Sequence, residues 1–244
     1  MIRLRGIKDL SLSDWPGKPC TLIFLQGCNL RCPWCFNVDA IDPWGGIEES
    51  LSRVKLLLET VRPLVDSVML SGGEPLLQPD ACVEILKISK ELEFKTGIET
   101  NGTLPENLGK ILEFLDLVAL DVKMPLSDDE LYQRMVGIPL EGITRKVRKT
   151  LECLKESKVE FEVRTTLVPS LNAEPAIVEK LVRDLEGQTQ TICFQQFRNQ
   201  RTLDPALQRV PEPSREQLIE LAKLAKGTIP HVKIFTVEGG FEEI

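Results

Sequence analysis

Residues 20–35 run CTLIFLQGCNLRCPWC: an apolar segment from Cys20 to Gly27, then Cys28, Cys32 and Cys35 within eight residues. A short apolar run closed by a glycine is expected to be a buried strand, which places the three cysteines on a loop at its carboxyl end. Outward from this stretch the same unit recurs. A helix is expected around Leu51 to Val61, a strand at Ser67 to Leu70, a helix around Asp80 to Leu92 and a strand at Lys95 to Thr100. A helix around Glu106 to Phe114, a strand at Leu117 to Val122, a helix around Thr144 to Ser157 and a strand at Glu160 to Val168 follow. A helix near Pro175 to Leu185, a strand at Thr191 to Phe197, a helix at Ser214 to Ala225 and a strand at Val232 to Val237 complete the series.

Alternating strands and helices define an α/β fold with a parallel sheet. The pattern does not separate a barrel from an open doubly wound sheet, but in both the ligand gathers at the carboxyl ends of the strands. The unusual residues of this chain fall there. They are Cys28 after the first strand, Ser71-Gly72-Gly73-Glu74-Pro75 after the second, Glu99-Thr100-Asn101-Gly102 after the third and Asp121-Val122-Lys123 at the end of the fourth.

With 244 residues, 42% hydrophobic and 27% charged, the chain suits one large core domain over residues 20–244 preceded by an N-terminal extension at 1–19. That extension carries Arg3, Arg5, Lys8, Asp9 and Asp14 without an apolar core, so it reads as neither a signal peptide nor a membrane helix, and the expected compartment is the cytoplasm. A formal net charge of −7 argues against nucleic acid as the partner. The single histidine, His231, makes histidine-based metal sites and Ser-His-Asp catalysis poor candidates, and it receives no role.

Seven cysteines, three of them adjacent, do not form the even set of a disulfide framework. Thiolates this close in sequence can wrap one iron–sulfur cluster. A cluster of four irons then keeps one iron open unless a distant cysteine fills it. Cys20 begins the strand that ends at Cys28, roughly 20 Å or more away at about 3.3 Å per residue. Cys82 and Cys153 fall on helices and Cys193 lies early in a later strand. An open metal position is the mark of a catalytic site. A structural zinc or iron–sulfur module, the non-enzymatic alternative, requires a filled fourth position.

Strand alternation adds a second, independent signal, because residues two apart share a face. Glu99 with Asn101, Asp121 with Lys123, and Glu162 with Arg164 and Thr166 share faces, while Ile98, Leu120, Val122, Val163 and Leu167 take the opposite side. If the apolar set meets the covering helices, the charged set faces the interior. Charge there is costly unless it is paired or used. Internal salt bridges such as Asp121–Lys123 or Glu162–Arg164 would account for it, and so would a charged cofactor.

The loop Gly27-Cys28-Asn29-Leu30-Arg31-Cys32-Pro33-Trp34-Cys35-Phe36-Asn37 resembles the cluster loop of the radical S-adenosylmethionine superfamily, with Trp34 as the aromatic residue before the third cysteine. The resemblance implies a partial (βα)6 TIM-like barrel and a [4Fe–4S] cluster on Cys28, Cys32 and Cys35. It also implies S-adenosylmethionine chelating the open iron, whose one-electron cleavage yields a 5′-deoxyadenosyl radical. It puts Gly72, Gly73 and Glu74 at the cofactor's amino group and Trp34, Phe36, Glu99 and Asn101 around the cofactor. Asp121, Lys123 and Arg164 match pocket positions of the glycyl-radical enzyme activators.

Asp14-Trp15-Pro16-Gly17 is similar to the Asp-Gly-Pro-Gly element of those activators, with Trp15 in place of glycine, and Phe36 stands where many of them have histidine. Gln195-Gln196-Phe197 and Thr202-Leu203-Asp204-Pro205 resemble the branch that activates anaerobic ribonucleoside-triphosphate reductase. The implied partners are a glycyl-radical enzyme as protein substrate and a low-potential electron donor of flavodoxin or ferredoxin type, with neither nucleic acid nor membrane. The enzymatic alternative is a small-molecule enzyme of the same superfamily, such as a 7-carboxy-7-deazaguanine synthase. Cys28→Ala, Cys32→Ala and Cys35→Ala are each expected to abolish 5′-deoxyadenosine release by the reconstituted protein, and Cys20→Ala to retain it; equal loss in all four would overturn the ligand assignment.

Overall fold

The computed structural model describes residues 2–244, and its first element is one that the apolar pattern does not announce. β1 (Ile2–Ser11) runs antiparallel to β2 (Cys20–Leu25), and the short β3 (Ile47–Glu49) pairs with the outer edge of β1. Two register shifts, at Gly6 and before Ser11, break its alternation, and Arg3, Arg5 and Lys8 interrupt its apolar residues. The expected N-terminal extension is thus largely a strand of the sheet.

The βα series then follows as expected: α1 (Leu51–Val61), β4 (Ser67–Gly72), α2 (Pro79–Glu91), β5 (Lys95–Thr100), α3 (Pro105–Gly109) and β6 (Leu117–Asp121). After α4 (Asp129–Met135) come α5 (Ile143–Glu156), β7 (Glu160–Leu167), α6 (Pro175–Leu185), β8 (Thr191–Gln196) and α7 (Arg215–Ala222). β9 (His231–Thr236) and β10 (Gly240–Glu243) form a closing antiparallel hairpin. The helix expected over 106–114 is instead α3, ending at Gly109, and a separate 3-10 turn at Leu112–Phe114. A glycine costs about 1 kcal/mol relative to alanine inside a helix, so a break there is physically reasonable.

Strands β2, β4, β5, β6, β7, β8 and β9 are parallel and adjacent in that order. Six βα units are therefore followed by a seventh parallel strand, and the sheet ends in β10 on one side and β3 on the other. Among the described residues the ends do not pair, which leaves the partial barrel open along one side.

The two faces of this sheet are chemically different. Ile23, Leu70, Ile98, Leu120, Val163 and Phe194 join the large core with Leu58 of α1, Ile85 of α2, Leu151 of α5 and Val178 of α6. Fully burying a side chain of this kind contributes about 1.5–3 kcal/mol. On the concave face a smaller apolar layer of Trp15, Cys20, Leu22, Met69 and Leu117 forms the floor. Trp15 is 6% exposed, and a Cβ at Gly97 would stand 2.9 Å from its ring.

Above that floor, the end of β4 is pressed against the cysteine loop by backbone contacts. The Gly73 amide donates to the Leu25 carbonyl at 3.1 Å, and the Glu74 amide to the Gly27 carbonyl at 2.8 Å. A Cβ at Gly73 would lie 2.1 Å from the Gly27 carbonyl oxygen and 2.6 Å from that of Ala40. Gly73→Ala is expected to lower the unfolding free energy by about 1–3 kcal/mol in urea titrations through forced backbone displacement. Gly109→Ala, with open space around its Cβ position, should leave stability equal or higher. Equal stability of Gly73→Ala and the parent would contradict the close approach.

Candidate functional site

The mouth of the half-barrel holds a cleft of about 530 Å³. Cys28, Cys32, Cys35, Trp34, Phe36, Gly72, Gly73, Glu99, Asn101, Asp121, Lys123 and Arg164 all line it, as do Asp14 and Thr166. Cys20, Cys82, Cys153 and Cys193 are not on its wall, and all seven cysteines are free. Three thiols on a loop between β2 and β3 suit iron–sulfur ligation. Among the described residues no group of three His, Cys, Asp or Glu side chains is drawn together closely enough to hold a single metal ion.

The cysteine loop is held by backbone contacts and by asparagines. The Cys28 amide donates to the Ile41 carbonyl at 3.0 Å, and the Cys35 amide to the Cys32 carbonyl at 3.0 Å. Arg31 folds its guanidinium back onto the Cys28 and Leu30 carbonyls, both at 2.8 Å. Asn101 Nδ2 donates to Asn29 Oδ1 at 3.0 Å and Asn29 Nδ2 to Thr103 at 2.7 Å, tying the loop to the end of β5. Asn37 Nδ2 reaches the Gly72 carbonyl at 3.1 Å. Trp34 is buried in the main core, while Phe36 is 40% exposed with the Arg198 guanidinium 4.7 Å above its ring.

Burial pushes the Cys28 thiol up to about 11 and the Cys32 thiol up to about 12, and raises that of Cys35 as well; Lys123 pulls all three back. Thiols in such a setting are protonated until a metal displaces the proton, so loading the loop releases protons. For Lys123 itself burial acts downward, but the Asp121 carboxylate and the Cys32 sulfur more than offset it and hold the ammonium above its usual range.

Deeper in the cleft the interior charges expected from strand alternation meet one another. Arg164 donates from Nε to Glu162 at 2.7 Å, from Nη1 to Glu99 at 2.7 Å and from Nη2 to the Asp14 carbonyl at 2.9 Å. Ser71 donates to the other Glu99 oxygen at 2.6 Å, and Lys123 Nζ donates to Asp121 at 2.6 Å. Both internal salt bridges considered from the sequence therefore form, which does not exhaust their donors. A guanidinium carries five N–H groups and an ammonium three, so Arg164 and Lys123 each retain two donors beyond these bonds.

Glu74 is the one member of the expected set that does not reach the cleft wall. Its carboxylate is 1% exposed and accepts from the Leu76 amide at 3.1 Å, the Thr100 hydroxyl at 2.8 Å and the Asn101 amide at 2.8 Å. It fastens the Gly72-Gly73 turn to the end of β5 from behind.

Lys8, Ser13, Gln195, Gln196 and Phe235 also line the cleft without having been singled out as site residues. Lys8 comes from β1, whose strand character was not legible, and the others from the open side, where side chains reach the cleft from both ends of the sheet. The period-2 pattern of β8 places Gln195 on the face of Cys193 and would have found it.

The model of the Radical SAM superfamily matches residues 22–181, and the chain belongs to that superfamily. It is 36% identical, over 97% of both chains, to a Methanocaldococcus jannaschii protein provisionally named a glycyl-radical enzyme activating enzyme. A pyruvate formate-lyase-activating enzyme of Clostridium pasteurianum is 35% identical over 77% of each chain. A solved radical SAM methyltransferase from Sphaerobacter thermophilus superposes with a TM-score of 0.68 at 18% identity, over 91% of this chain and 67% of that one, and shares the fold. The protein is accordingly an oxidoreductase-type enzyme whose cofactors are a [4Fe–4S] cluster and S-adenosylmethionine.

Burial pushes the Glu74 carboxyl up to about 7, against its hydrogen bonds from Asn101, Thr100 and Leu76. A folded value above the unfolded one favours the protonated folded state. That contribution is fully present below about pH 4 and is lost as pH rises through about 7. Glu74→Gln keeps one carbonyl acceptor and sets an amide against a buried N–H, at a cost of about 1–3 kcal/mol. Unfolding titrations of the unloaded protein should show this loss, together with a flatter stability profile between pH 5 and 8 than in the parent. Parallel profiles would remove Glu74 as the titrating group.

Proposed function

We propose that this chain is a glycyl-radical enzyme activase whose Cys28, Cys32 and Cys35 carry the cluster. The observation that carries the proposal is the lateral openness of the cleft. Its wall includes Lys8, Ser13 and Asp14 at the β1 end of the sheet and Gln195, Gln196 and Phe235 at the β8–β9 end, so a strand of another protein can enter between the unpaired edges. Similarity over nearly the whole length to the Methanocaldococcus jannaschii protein supports the same reading.

When bound, the cluster and S-adenosylmethionine supply a one-electron cleavage whose carbon radical takes a hydrogen atom from a glycine Cα of the partner. The protein's part is binding, orientation and exclusion of water. The remaining donors of Lys123 and Arg164 would serve the methionyl carboxylate, and Ser71 and Glu99 would serve the ribose. Gly72 and Gly73 would offer backbone carbonyls to the ammonium, and Asn101 holds the cysteine loop to the end of β5 through Asn29. Asp14 stands at the floor of the cleft, its main chain fixed by Arg164 and its side chain accepting from Ser13 at 3.0 Å, where an incoming glycine loop would arrive.

The resemblance at residues 195–197 and 202–205 favours an anaerobic ribonucleoside-triphosphate reductase as partner, and a flavodoxin or ferredoxin as electron source. Anaerobic reconstitution, reduction and mixing with that reductase is expected to give 5′-deoxyadenosine together with an organic radical by electron paramagnetic resonance. Cofactor cleavage with no radical on any glycyl-radical enzyme tested, accompanied by turnover of a small molecule, would replace the activase reading with a metabolite enzyme.

A further inference from the structure

Helix α4, which apolar periodicity does not reveal, touches two parts of the site at once. Tyr132, the chain's only tyrosine, is fully buried in it, and its hydroxyl accepts the Lys123 amide at 3.0 Å. One turn later the Val136 carbonyl accepts the Arg31 amide at 2.9 Å, between Cys28 and Cys32. Gly137 follows with φ +71°, and a Cβ there would stand 2.4 Å from the Arg31 carbonyl oxygen. The helix end is therefore seated directly on the cysteine loop.

The other main-chain polar atom of Lys123 is held from the opposite side. Asn172, after β7 and 2% exposed, donates from Nδ2 to the Lys123 carbonyl at 3.0 Å and to the Thr166 carbonyl at 2.9 Å. Its Oδ1 accepts the Val168 amide at 2.7 Å. Neither Tyr132 nor Asn172 lines the cleft, yet Lys123, whose main chain they grip, does.

Lys123 lies beyond the end of β6, where no ladder partner fixes it. We propose that Tyr132 and Asn172 are positioning residues: together with the Val136–Gly137 turn they set the Lys123 ammonium at a defined place relative to the three cysteines. One bracket thus places both the sulfur ligands and a cationic donor for the same cofactor. The proposal rests on the reading of Lys123 as a cofactor contact made under the proposed function.

The test is a double-mutant cycle on the anaerobically reconstituted full chain, reading the dissociation constant for S-adenosylmethionine and the cofactor-induced change in the reduced cluster's paramagnetic resonance signal. Iron content and the melting temperature of each variant are read alongside. Tyr132→Phe removes only the acceptor for the Lys123 amide and is expected to weaken cofactor binding about tenfold while iron content is kept. In a Lys123→Ala background the same change should add nothing, because the group it positions is gone. Multiplicative weakening in the double variant would mark Tyr132 as a general structural residue and overturn the proposal, as would unchanged affinity of Tyr132→Phe where Lys123→Ala is weakened. Unchanged affinity of Lys123→Ala would overturn the underlying reading of Lys123 and the proposal with it, while leaving the activase assignment to the radical-transfer assay. Asn172→Ala, which removes the donor to the Lys123 carbonyl and does not touch the cysteine loop, probes the bracket from its other side if Tyr132→Phe does not fold. It should likewise weaken binding in the parent and be silent in Lys123→Ala, and additivity there would overturn the proposal.

Discussion

A guanidinium buried in the hollow of an open sheet is the interaction on which the other parts of this molecule depend. Arg164 is 3% exposed and joins β5 through Glu99, its own strand through Glu162 and the N-terminal loop through the Asp14 carbonyl. Burial alone would lower its affinity for a proton, but the two carboxylates overcome this and keep it charged. Without the cation, Glu99 would keep only its Ser71 hydrogen bond and Glu162 only Lys233 at 3.8 Å, and removing one partner of a buried ion pair costs about 3–5 kcal/mol. The polar interior is stable because it is paired, and the pairing uses only part of its hydrogen-bonding capacity.

The hollow is stratified around that network. Below it, Trp15, Leu22, Met69 and Leu117 exclude water from the floor. Above it, Cys28, Cys32 and Cys35 stand on a loop whose position is imposed by backbone contact with Gly72 and Gly73. A low-dielectric floor and a charged middle strengthen every electrostatic contact made at the rim. The same arrangement leaves the gap between β1 and β9–β10 free of ladder pairing, so that the most reactive end of the cleft remains reachable from the side.

Positioning is carried largely by groups that never face the cleft. Glu74 ties the glycine turn to β5, Asn172 ties β6 to β7, and α4 ties the cysteine loop to the exit of β6. Each tie runs through a buried side chain, Glu74, Asn172 or Tyr132, hydrogen-bonded to a segment outside its own element. Such bonds are unfavourable to break, because a buried donor left without an acceptor loses its solvation as well as its partner. The cleft's lining is therefore held from behind as much as from within.

The sequence by itself determined the features written locally. Apolar runs ending in glycine or a polar cluster marked β2 and β4 through β9, because a strand buried on its helix side needs continuous apolar residues. Cysteine spacing singles out Cys28, Cys32 and Cys35, and period-2 alternation alone turns Glu99, Asp121 and Arg164 inward. Only the tertiary structure decided what depends on segments meeting across the fold. β1 escaped notice because a strand next to the sheet edge, with one wet face, carries arginines and lysine among its apolar residues, and α4 because a helix of seven residues spans too few turns to show a period. Glu74 faces its three donors rather than the cleft, and Tyr132 and Asn172 grip Lys123, because buried hydrogen bonds are satisfied by whichever group the fold brings within reach. Chain order does not record that proximity.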